Sequence, residues 1–88
     1  MIKITDFWAP WCGPCKSFNP ILNEINDAYD NIILEKVNVM TDEGKQLATE
    51  KGIKAIPYVE IEKDGVLVEK FTGFKSRAKL VELIEKYV

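Results

Sequence analysis

The chain has 88 residues, the size of one small domain, and we expect a single domain over residues 1–88. Hydrophobic residues make up 47% and charged residues 30%, which excludes a disordered segment and a membrane-embedded protein. The formal net charge is −2, so the charge balance gives no reason to expect nucleic acid as a partner. The chain has no histidine, which excludes Ser-His-Asp and Cys-His catalysis and zinc sites with histidine ligands.

The first six residues show neither the basic start nor the apolar run of a secretory leader. No stretch approaches the ~20 apolar residues that a membrane span requires. We therefore expect a cytoplasmic protein that binds neither membranes nor nucleic acid and that is a monomer.

The sequence pattern of the first half of the chain predicts a strand, a helix, a second strand and a second helix. β-Branched and aromatic residues predict a strand over 2–8, and Pro14 suits the start of a helix with one apolar face. Pro20 lies inside this helix and is expected to kink it. A second strand is predicted over 32–39, followed by a short helix that Thr41 or Asp42 caps and Gly52 ends.

The pattern of the second half predicts a β-hairpin followed by a helix. Strands are predicted over 58–63 and 66–72, and Asp64-Gly65 between them is a strong signal for a two-residue turn. Ser76 is expected to cap a last amphipathic helix. The order β-α-β-α-β-β-α predicts an α/β fold with a four-stranded mixed sheet, parallel in its first β-α-β unit and antiparallel in its hairpin.

A cysteine pair, in the segment Trp11-Cys12-Gly13-Pro14-Cys15, lies between the first strand and the helix that follows it. A Cys-x-x-Cys motif in this context is typical of a redox-active dithiol. Cys12 lies at the helix N-terminus, where free N–H groups and the helix dipole favour a thiolate. Cys15, one turn later and expected to be better covered, suits the resolving role. The alternatives, a zinc site and two core cysteines, are less favoured, because zinc needs about four ligands and the flanking Gly and Pro indicate a turn.

The segment 6–16, Asp-Phe-Trp-Ala-Pro-Trp-Cys-Gly-Pro-Cys-Lys, resembles the active-site segment of the thioredoxin family. Further matches follow in order at Pro20, 36–39, 52–57 and Gly73, so the resemblance covers nearly the whole chain. It implies the thioredoxin fold and an enzyme that reduces disulfides in partner proteins. It also implies that the chain binds no cofactor, and that electrons come from NADPH through thioredoxin reductase, a separate flavin-dependent protein, or a similar partner.

By position, the resemblance makes Cys12 the attacking cysteine and Cys15 the resolving one. Asp6 matches the family's buried aspartate behind the pair, which is expected to take up the proton of Cys15. Burial raises the pKa of a carboxyl towards the range that suits a general base. Lys36 matches the lysine partner of that aspartate.

Pro57 matches a cis-proline beside the active site, and the resemblance implies that the backbone of Ile56 pairs with an extended substrate segment. A flat apolar surface, to which Trp8 also contributes, would then surround Cys12 and suit weak binding of many partners. The expected substrate-binding residues are Trp11, Gly13, Pro14, Ile56, Pro57, Tyr58 and Gly73.

Two features depart from the family pattern. Tyr58 stands where threonine is common, and a larger side chain near the substrate groove is expected to narrow the choice of partners or to favour a different reductase. Thioredoxins also usually begin with a further strand and helix before the segment that matches 6–16. We therefore expect a minimal four-stranded member, close in size to a glutaredoxin. Gly13-Pro14 and Trp11 are unlike the usual glutaredoxin Cys-Pro-Tyr-Cys and favour thioredoxin chemistry.

Three other functions stay open. They are a glutaredoxin-like reductase, a disulfide oxidase or isomerase, and a non-catalytic binding subunit that uses the apolar surface around Trp11. An oxidase needs a less stable disulfide and an oxidising compartment. A biological role that survived the loss of both cysteines would favour the binding subunit.

Alternation along the strands predicts one polar face of the sheet, on the side that the usual first helix covers. The residues expected to lie there are Lys3, Thr5, Glu35, Glu60 and Glu62. We expect their side chains to be exposed or paired with one another, because an unpaired buried charge is costly.

Overall fold

Local signals in the sequence place the helices and strands where the structure has them. A computed structural model describes residues 1–88. The elements in chain order are β1 (Ile2–Trp8), α1 (Gly13–Ala28), β2 (Ile32–Asn38), α2 (Asp42–Lys51), β3 (Tyr58–Lys63), β4 (Val66–Thr72) and α3 (Arg77–Ile84). The predicted order is confirmed, and the predicted start of α1 and end of β2 differ from the observed ones by one residue. None of the three helices is long and apolar enough to cross a membrane.

The four strands form one mixed sheet in the order β2-β1-β3-β4. β1 and β2 are parallel, whereas β3 is antiparallel to both β1 and β4. Asp64 and Gly65 join β3 to β4 with φ angles of 51° and 86°. Two consecutive positive φ angles are typical of the type I′ turn, whose twist matches that of the strands it connects. The predicted α/β fold with a four-stranded mixed sheet is therefore confirmed.

Capping residues set the helix ends. The Thr41 side chain accepts the backbone N–H of Gly44 at 3.0 Å and begins α2. Gly52, with a φ of 68°, ends α2 in the left-handed conformation that glycine adopts without steric cost. Ser76 caps α3 in the same way as Thr41 caps α2. α1 continues on both sides of Pro20, so this proline does not end the helix.

The main hydrophobic core lies between the sheet and the two helices α1 and α3. Its ten buried side chains are Ile2, Ile4, Phe18, Leu22, Ile25, Ile32, Val59, Ile61, Leu80 and Ile84. The even-numbered residues of β1 face this core, so Asp6 and Trp8 extend the same face towards the C-terminal end of the strand.

The opposite face of the sheet carries the five polar residues predicted for it, beside Phe7 and Tyr58. The strand register pairs Thr5 with both Glu35 and Glu60, and Lys3 with Glu62. Lys3 Nζ lies 3.2 Å from Glu35 Oε2, and both side chains are exposed. The expectation that these side chains are exposed or paired with one another is wrong for Thr5 and Glu60, which are 9% and 8% exposed and form no bond with the other residues of the set. Their part of the face is covered because α2 extends a lysine over Glu60.

Candidate active site

The two cysteines lie at the N-terminus of α1. Cys12 and Cys15 form a disulfide, with their Cα atoms 5.2 Å apart. Cys12 is the N-cap residue of α1, with φ −88° and ψ 108°, and its Sγ accepts the backbone N–H of Cys15 at 3.2 Å. A sulfur in this position faces the free N–H groups and the positive end of the helix dipole. In the dithiol state this environment stabilises a thiolate on Cys12.

Burial does not distinguish the two cysteines. Cys12 is 4% exposed and Cys15 is 3% exposed, so the two differ by only 1% in the disulfide form, although Cys15 was expected to be better covered. Both belong to a small apolar cluster with Ala9. The partly buried side chains that pack against this cluster are Trp8, Val39 and Ile56. The chemical difference between the two sulfurs therefore comes from the helix N-terminus and not from exposure.

Asp6 lies behind the disulfide, near the end of β1. It is 2% exposed, and its Oδ1 atom accepts no hydrogen bond from the protein. A cavity of about 350 Å³ lies between this carboxyl and Cys15, and its lining consists of Asp6, Trp8, Cys15, Lys16, Asn19 and Lys36. Burial raises the pKa of Asp6 from an ordinary 3.8 to about 6, and the positive charge of Lys36 opposes this rise. A carboxylate with that pKa is a stronger base than an exposed one.

Lys36 lies next to Asp6 in the sheet but does not pair with it. The register of β1 and β2 aligns the two residues, so their side chains share one face. The Lys36 ammonium donates a hydrogen bond to Asn23 Oδ1 at 2.7 Å and forms no ion pair with Asp6. Asn23 is a residue that sequence reasoning missed, and nothing in the pattern of α1 distinguishes it from other exposed residues of the helix.

The loop before β3 lies beside the cysteines. The peptide bond between Ile56 and Pro57 is cis, as the resemblance implies, and Pro57 is buried. The carbonyl of Pro57 accepts the backbone N–H of Gly73 at 2.8 Å, which holds the end of β4 against this loop. Ile56 packs on the cysteine cluster, so this predicted substrate-binding residue lies next to the disulfide.

Trp11 is the most exposed aromatic side chain near the cysteines, at 67%. Its indole Nε1–H donates to the thioether Sδ of Met40 at 3.3 Å. The side chain borders a groove of about 180 Å³ lined by Trp11, Val39, Ala48, Ile53, Lys54, Ala55 and Ile56. Sequence reasoning missed Met40. The sequence did contain a signal for it, since Trp11 follows β1 and Met40 follows β2. These two strands are parallel, and the residues that follow neighbouring parallel strands meet at the same edge of a sheet.

The structure does not bring Tyr58 to the cysteines. Its ring centroid lies 5.7 Å from that of Phe7, on the polar face of the sheet, and its hydroxyl donates to Glu60 Oε2 at 3.0 Å. Burial, together with this hydrogen bond, raises the pKa of Tyr58 to about 12. β3 directs the side chain of residue 58 to the opposite face of the sheet from Asp6, and its expected effect on the choice of partners stays a prediction. Gly13 and Pro14, by contrast, are exposed between the two cysteines.

Comparisons with known proteins agree with this geometry. The family model described as Thioredoxin matches residues 2–86. Thioredoxin from Bacillus subtilis (strain 168) is 40% identical over 88 residues, which cover 99% of this chain and 83% of that protein. Thioredoxin 1 from Nostoc sp. (strain PCC 7120 / SAG 25.82 / UTEX 2576) is 40% identical over 85 residues, which cover 97% of this chain and 78% of that protein.

A solved structure is also similar over nearly the whole chain. It is a mutant thioredoxin from Halobacterium salinarum NRC-1, with a TM-score of 0.86 and 32% sequence identity, covering 98% of this chain and 74% of that one. A family model that spans almost every residue, together with relatives at 40% identity, is decisive. This chain belongs to the thioredoxin family and is a protein thiol–disulfide oxidoreductase.

Proposed function

We propose that this chain works as a reductase of protein disulfides, in which Cys12 attacks the substrate and Cys15 releases it. The observation that carries the proposal is the position of Cys12 at the N-cap of α1, with its Sγ accepting the N–H of Cys15 at 3.2 Å. This contact stabilises a thiolate on the sulfur that is nearer to the helix end. A thiolate is the nucleophile of disulfide exchange.

The exchange proceeds in two steps. The Cys12 thiolate attacks one sulfur of the substrate disulfide, so that a mixed disulfide forms and the other substrate sulfur leaves as a thiolate. Cys15 then loses its proton and attacks Cys12 Sγ, which breaks the mixed disulfide and releases the second substrate sulfur. The product is a reduced substrate and the Cys12–Cys15 disulfide seen in the structure.

Asp6 is the group that we propose takes up the Cys15 proton. Both residues line the same cavity, and the raised pKa of Asp6, about 6, makes its carboxylate a stronger base. Lys36 lines the same cavity and acts through its charge, which favours the ionised carboxylate. The Asp6→Asn variant should therefore slow release of the mixed disulfide more than its formation. Rapid mixing with a disulfide substrate separates the two steps, and equal slowing of both would contradict this role.

The substrate-binding surface surrounds the disulfide. Trp11 is exposed beside the apolar groove, and Gly13 and Pro14 are exposed between the cysteines. We propose that the backbone of Ile56, whose side chain packs on the cysteine cluster, pairs with an extended segment of the substrate. A shallow apolar surface with few polar groups suits many partners at low affinity.

Each turnover leaves the chain oxidised, so the reaction needs an electron donor. We infer that NADPH supplies the electrons through thioredoxin reductase, a separate flavin-dependent protein, as the family membership supports. We also infer a reducing compartment such as the cytoplasm, because a protein-disulfide reductase works only where its own disulfide is continually reopened.

The cysteine roles can be tested with insulin as the disulfide substrate. Reduced protein is treated briefly with iodoacetamide, and the labelled cysteine is identified by mass spectrometry. We expect Cys12 to be alkylated faster than Cys15, because the helix N-terminus favours its thiolate. The Cys15→Ser variant should accumulate a mixed disulfide with insulin, and the matched Cys12→Ser variant should not. Faster labelling of Cys15, or a trapped complex with Cys12→Ser, would reverse the assignment.

The direction of electron flow requires a second measurement. The reduction potential of the Cys12–Cys15 pair, determined against a glutathione or NADPH couple, should be more negative than that of glutathione in the cytosol. A potential clearly above that of the glutathione pool would favour the oxidase or isomerase alternative. Faster recycling by glutathione than by an NADPH-dependent flavoprotein reductase would favour the glutaredoxin-like one.

A further inference from the structure

Met40 is the direct partner of the tryptophan beside the catalytic pair. The indole N–H of Trp11 donates to Met40 Sδ at 3.3 Å, and both side chains are accessible, at 67% and 46%. A thioether is a weak hydrogen-bond acceptor, so this contact holds the indole only loosely. The sulfur is itself a centre that peroxides oxidise.

The contact lies at the edge of the apolar groove. Met40 directly follows Val39, which lines that groove together with Trp11 and Ile56. Val39 and Ile56 also pack on the cysteine cluster. A polar group added at Met40 Sδ would therefore stand at the border of the surface where a substrate approaches Cys12.

We propose that Met40 is a site of sulfoxidation, and that its sulfoxide weakens the docking of protein disulfides beside Cys12. The oxidant is a hydroperoxide such as hydrogen peroxide. With hydrogen peroxide, a lone pair of Met40 Sδ attacks one peroxide oxygen, an S–O bond forms and the O–O bond breaks. The proton on the transferred oxygen passes to the departing hydroxide, which leaves as water. The sulfur is oxidised by two electrons and the peroxide is reduced by two.

Two effects follow from the new oxygen. The sulfoxide oxygen is a much stronger hydrogen-bond acceptor than a thioether and lies within reach of the Trp11 indole N–H. The hydrogen bond therefore becomes shorter, and the indole is less free to change its orientation for different substrates. The S–O dipole must also lose water when an apolar substrate segment covers the groove edge, which opposes binding. The cysteines themselves are unchanged, so the exchange chemistry is preserved. The effect on docking rests on the proposed reductase function, whereas the effect on the indole does not.

The experiment oxidises the disulfide form with hydrogen peroxide, because the disulfide protects both cysteines from conversion to sulfenic acid. After the peroxide is removed, dithiothreitol reopens the disulfide and leaves the sulfoxide intact. Met1 is the only other methionine, is 59% exposed, and lies at the opposite end of β1 from Trp11, so it serves as the matched control. The proteins compared are the parent chain, Met40→Leu and Met1→Leu, each before and after peroxide, with oxygen uptake located by peptide mass spectrometry.

We expect peroxide to raise the KM for insulin about 3- to 10-fold in the parent and in Met1→Leu, with kcat within about twofold, and to leave Met40→Leu unchanged. The KM for a small aryl disulfide, which does not reach the groove, should stay the same. An unchanged KM for insulin with Met40 fully oxidised would overturn the proposal. The same rise in oxidised Met40→Leu would also overturn it.

An independent readout follows the indole. The Nε1–H resonance of Trp11 should move downfield on oxidation of Met40, while that of Trp8, whose Nε1 has no protein partner, should stay in place. A stationary Trp11 resonance would contradict the strengthened hydrogen bond. If the untreated chain reduced no insulin, the proposed function would fail, and the Trp11 resonance would then decide the Met40 proposal by itself.

Discussion

At the scale of single residues, the buried carboxyl of Asp6 combines a catalytic use with a cost in stability. It is 2% exposed and its Oδ1 has no hydrogen-bond donor from the protein. Desolvation disfavours the ionised form, which is why its pKa lies at about 6. Burial thus makes Asp6 a stronger base, and it also lowers the stability of the folded state once the carboxyl is ionised.

The pH dependence of stability should show this cost. Asp6 holds its proton up to about pH 6 in the folded chain but only to about 3.8 when unfolded, so the folded state binds more protons between these values. Stability should therefore fall as pH rises through this window, by up to about 3 kcal/mol. We expect Asp6→Asn to be more stable than the parent by about 2–3 kcal/mol near pH 8 and about equal below pH 4.

Urea unfolding of the disulfide form at both pH values measures the difference. Asp30→Asn, which alters an exposed carboxyl after α1, is the control and should change the free energy of unfolding by less than about 0.5 kcal/mol at either pH. A gain in Asp6→Asn that was the same at both pH values would show that ionisation of Asp6 is not its cause.

At the scale of elements, α2 positions the loop that carries Ile56 and Pro57. Its N-terminus is fixed by Thr41, and Gly44 lies so close to β2 that a Cβ there would overlap the carbonyl of Asn38. The tight approach joins α2 to the end of β2. Because α2 and the loop after it border the groove beside Trp11, the ends of this helix matter for the site as well as for the fold.

Loss of the α2 N-cap should lower stability measurably. Thr41→Ala removes the acceptor of the Gly44 N–H, so we expect the free energy of unfolding to fall by about 1 kcal/mol. Thr41→Ser keeps a hydroxyl acceptor at the cap and should therefore lose only a small part of this stability. Thr49→Ala is the matched control within α2, since Thr49 is exposed and bonds only the Lys45 carbonyl of its own helix. Chemical denaturation of the three variants tests this, and equal losses in Thr41→Ala and Thr49→Ala would argue against the cap.

At the scale of the whole molecule, the sheet is covered differently on its two faces. α1 and α3 bury an apolar core on one face, whereas the other carries charged residues that differ in their burial. Glu60 is 8% exposed and is satisfied by two partners, Lys51 Nζ at 2.9 Å and the Tyr58 hydroxyl at 3.0 Å. This group joins α2 to β3 and lets a carboxylate lie within a largely covered part of the sheet.

Removal of the cation from this group should be costly. Lys51→Met keeps much of the aliphatic stem but leaves the Glu60 charge with one partner, so we expect a loss of about 1–3 kcal/mol in the free energy of unfolding. The double variant Lys51→Met with Glu60→Gln should recover most of the lost free energy of unfolding, because it no longer buries the Glu60 charge. Lys3→Met, which breaks the exposed pair with Glu35, is the control and should cost less than about 1 kcal/mol. Equal costs at the two sites, measured by urea unfolding, would mean that burial does not govern these pairs.

The helices, the strands and the chemistry of the cysteine pair could be predicted from local patterns in the sequence. Helix caps at Thr41 and Ser76 and the Asp64-Gly65 turn are local signals, because each depends on groups only two to four residues apart. The position of Cys12 at a helix start is local in the same sense, and so is its tendency to form a thiolate. Alternation along the strands also sorted residues correctly between the two faces of the sheet.

Contacts between side chains that are distant in the sequence could not be predicted, because they depend on the tertiary structure. Alternation gives the face of a residue but not its partner, so Lys36 was expected at Asp6 and instead bonds Asn23. Trp11 and Met40 are 29 residues apart and meet only because two parallel strands end at the same edge. The nearly equal burial of the two cysteines likewise depends on how distant segments fold over them. Such contacts depend on the packing of whole elements, which no short stretch of sequence contains.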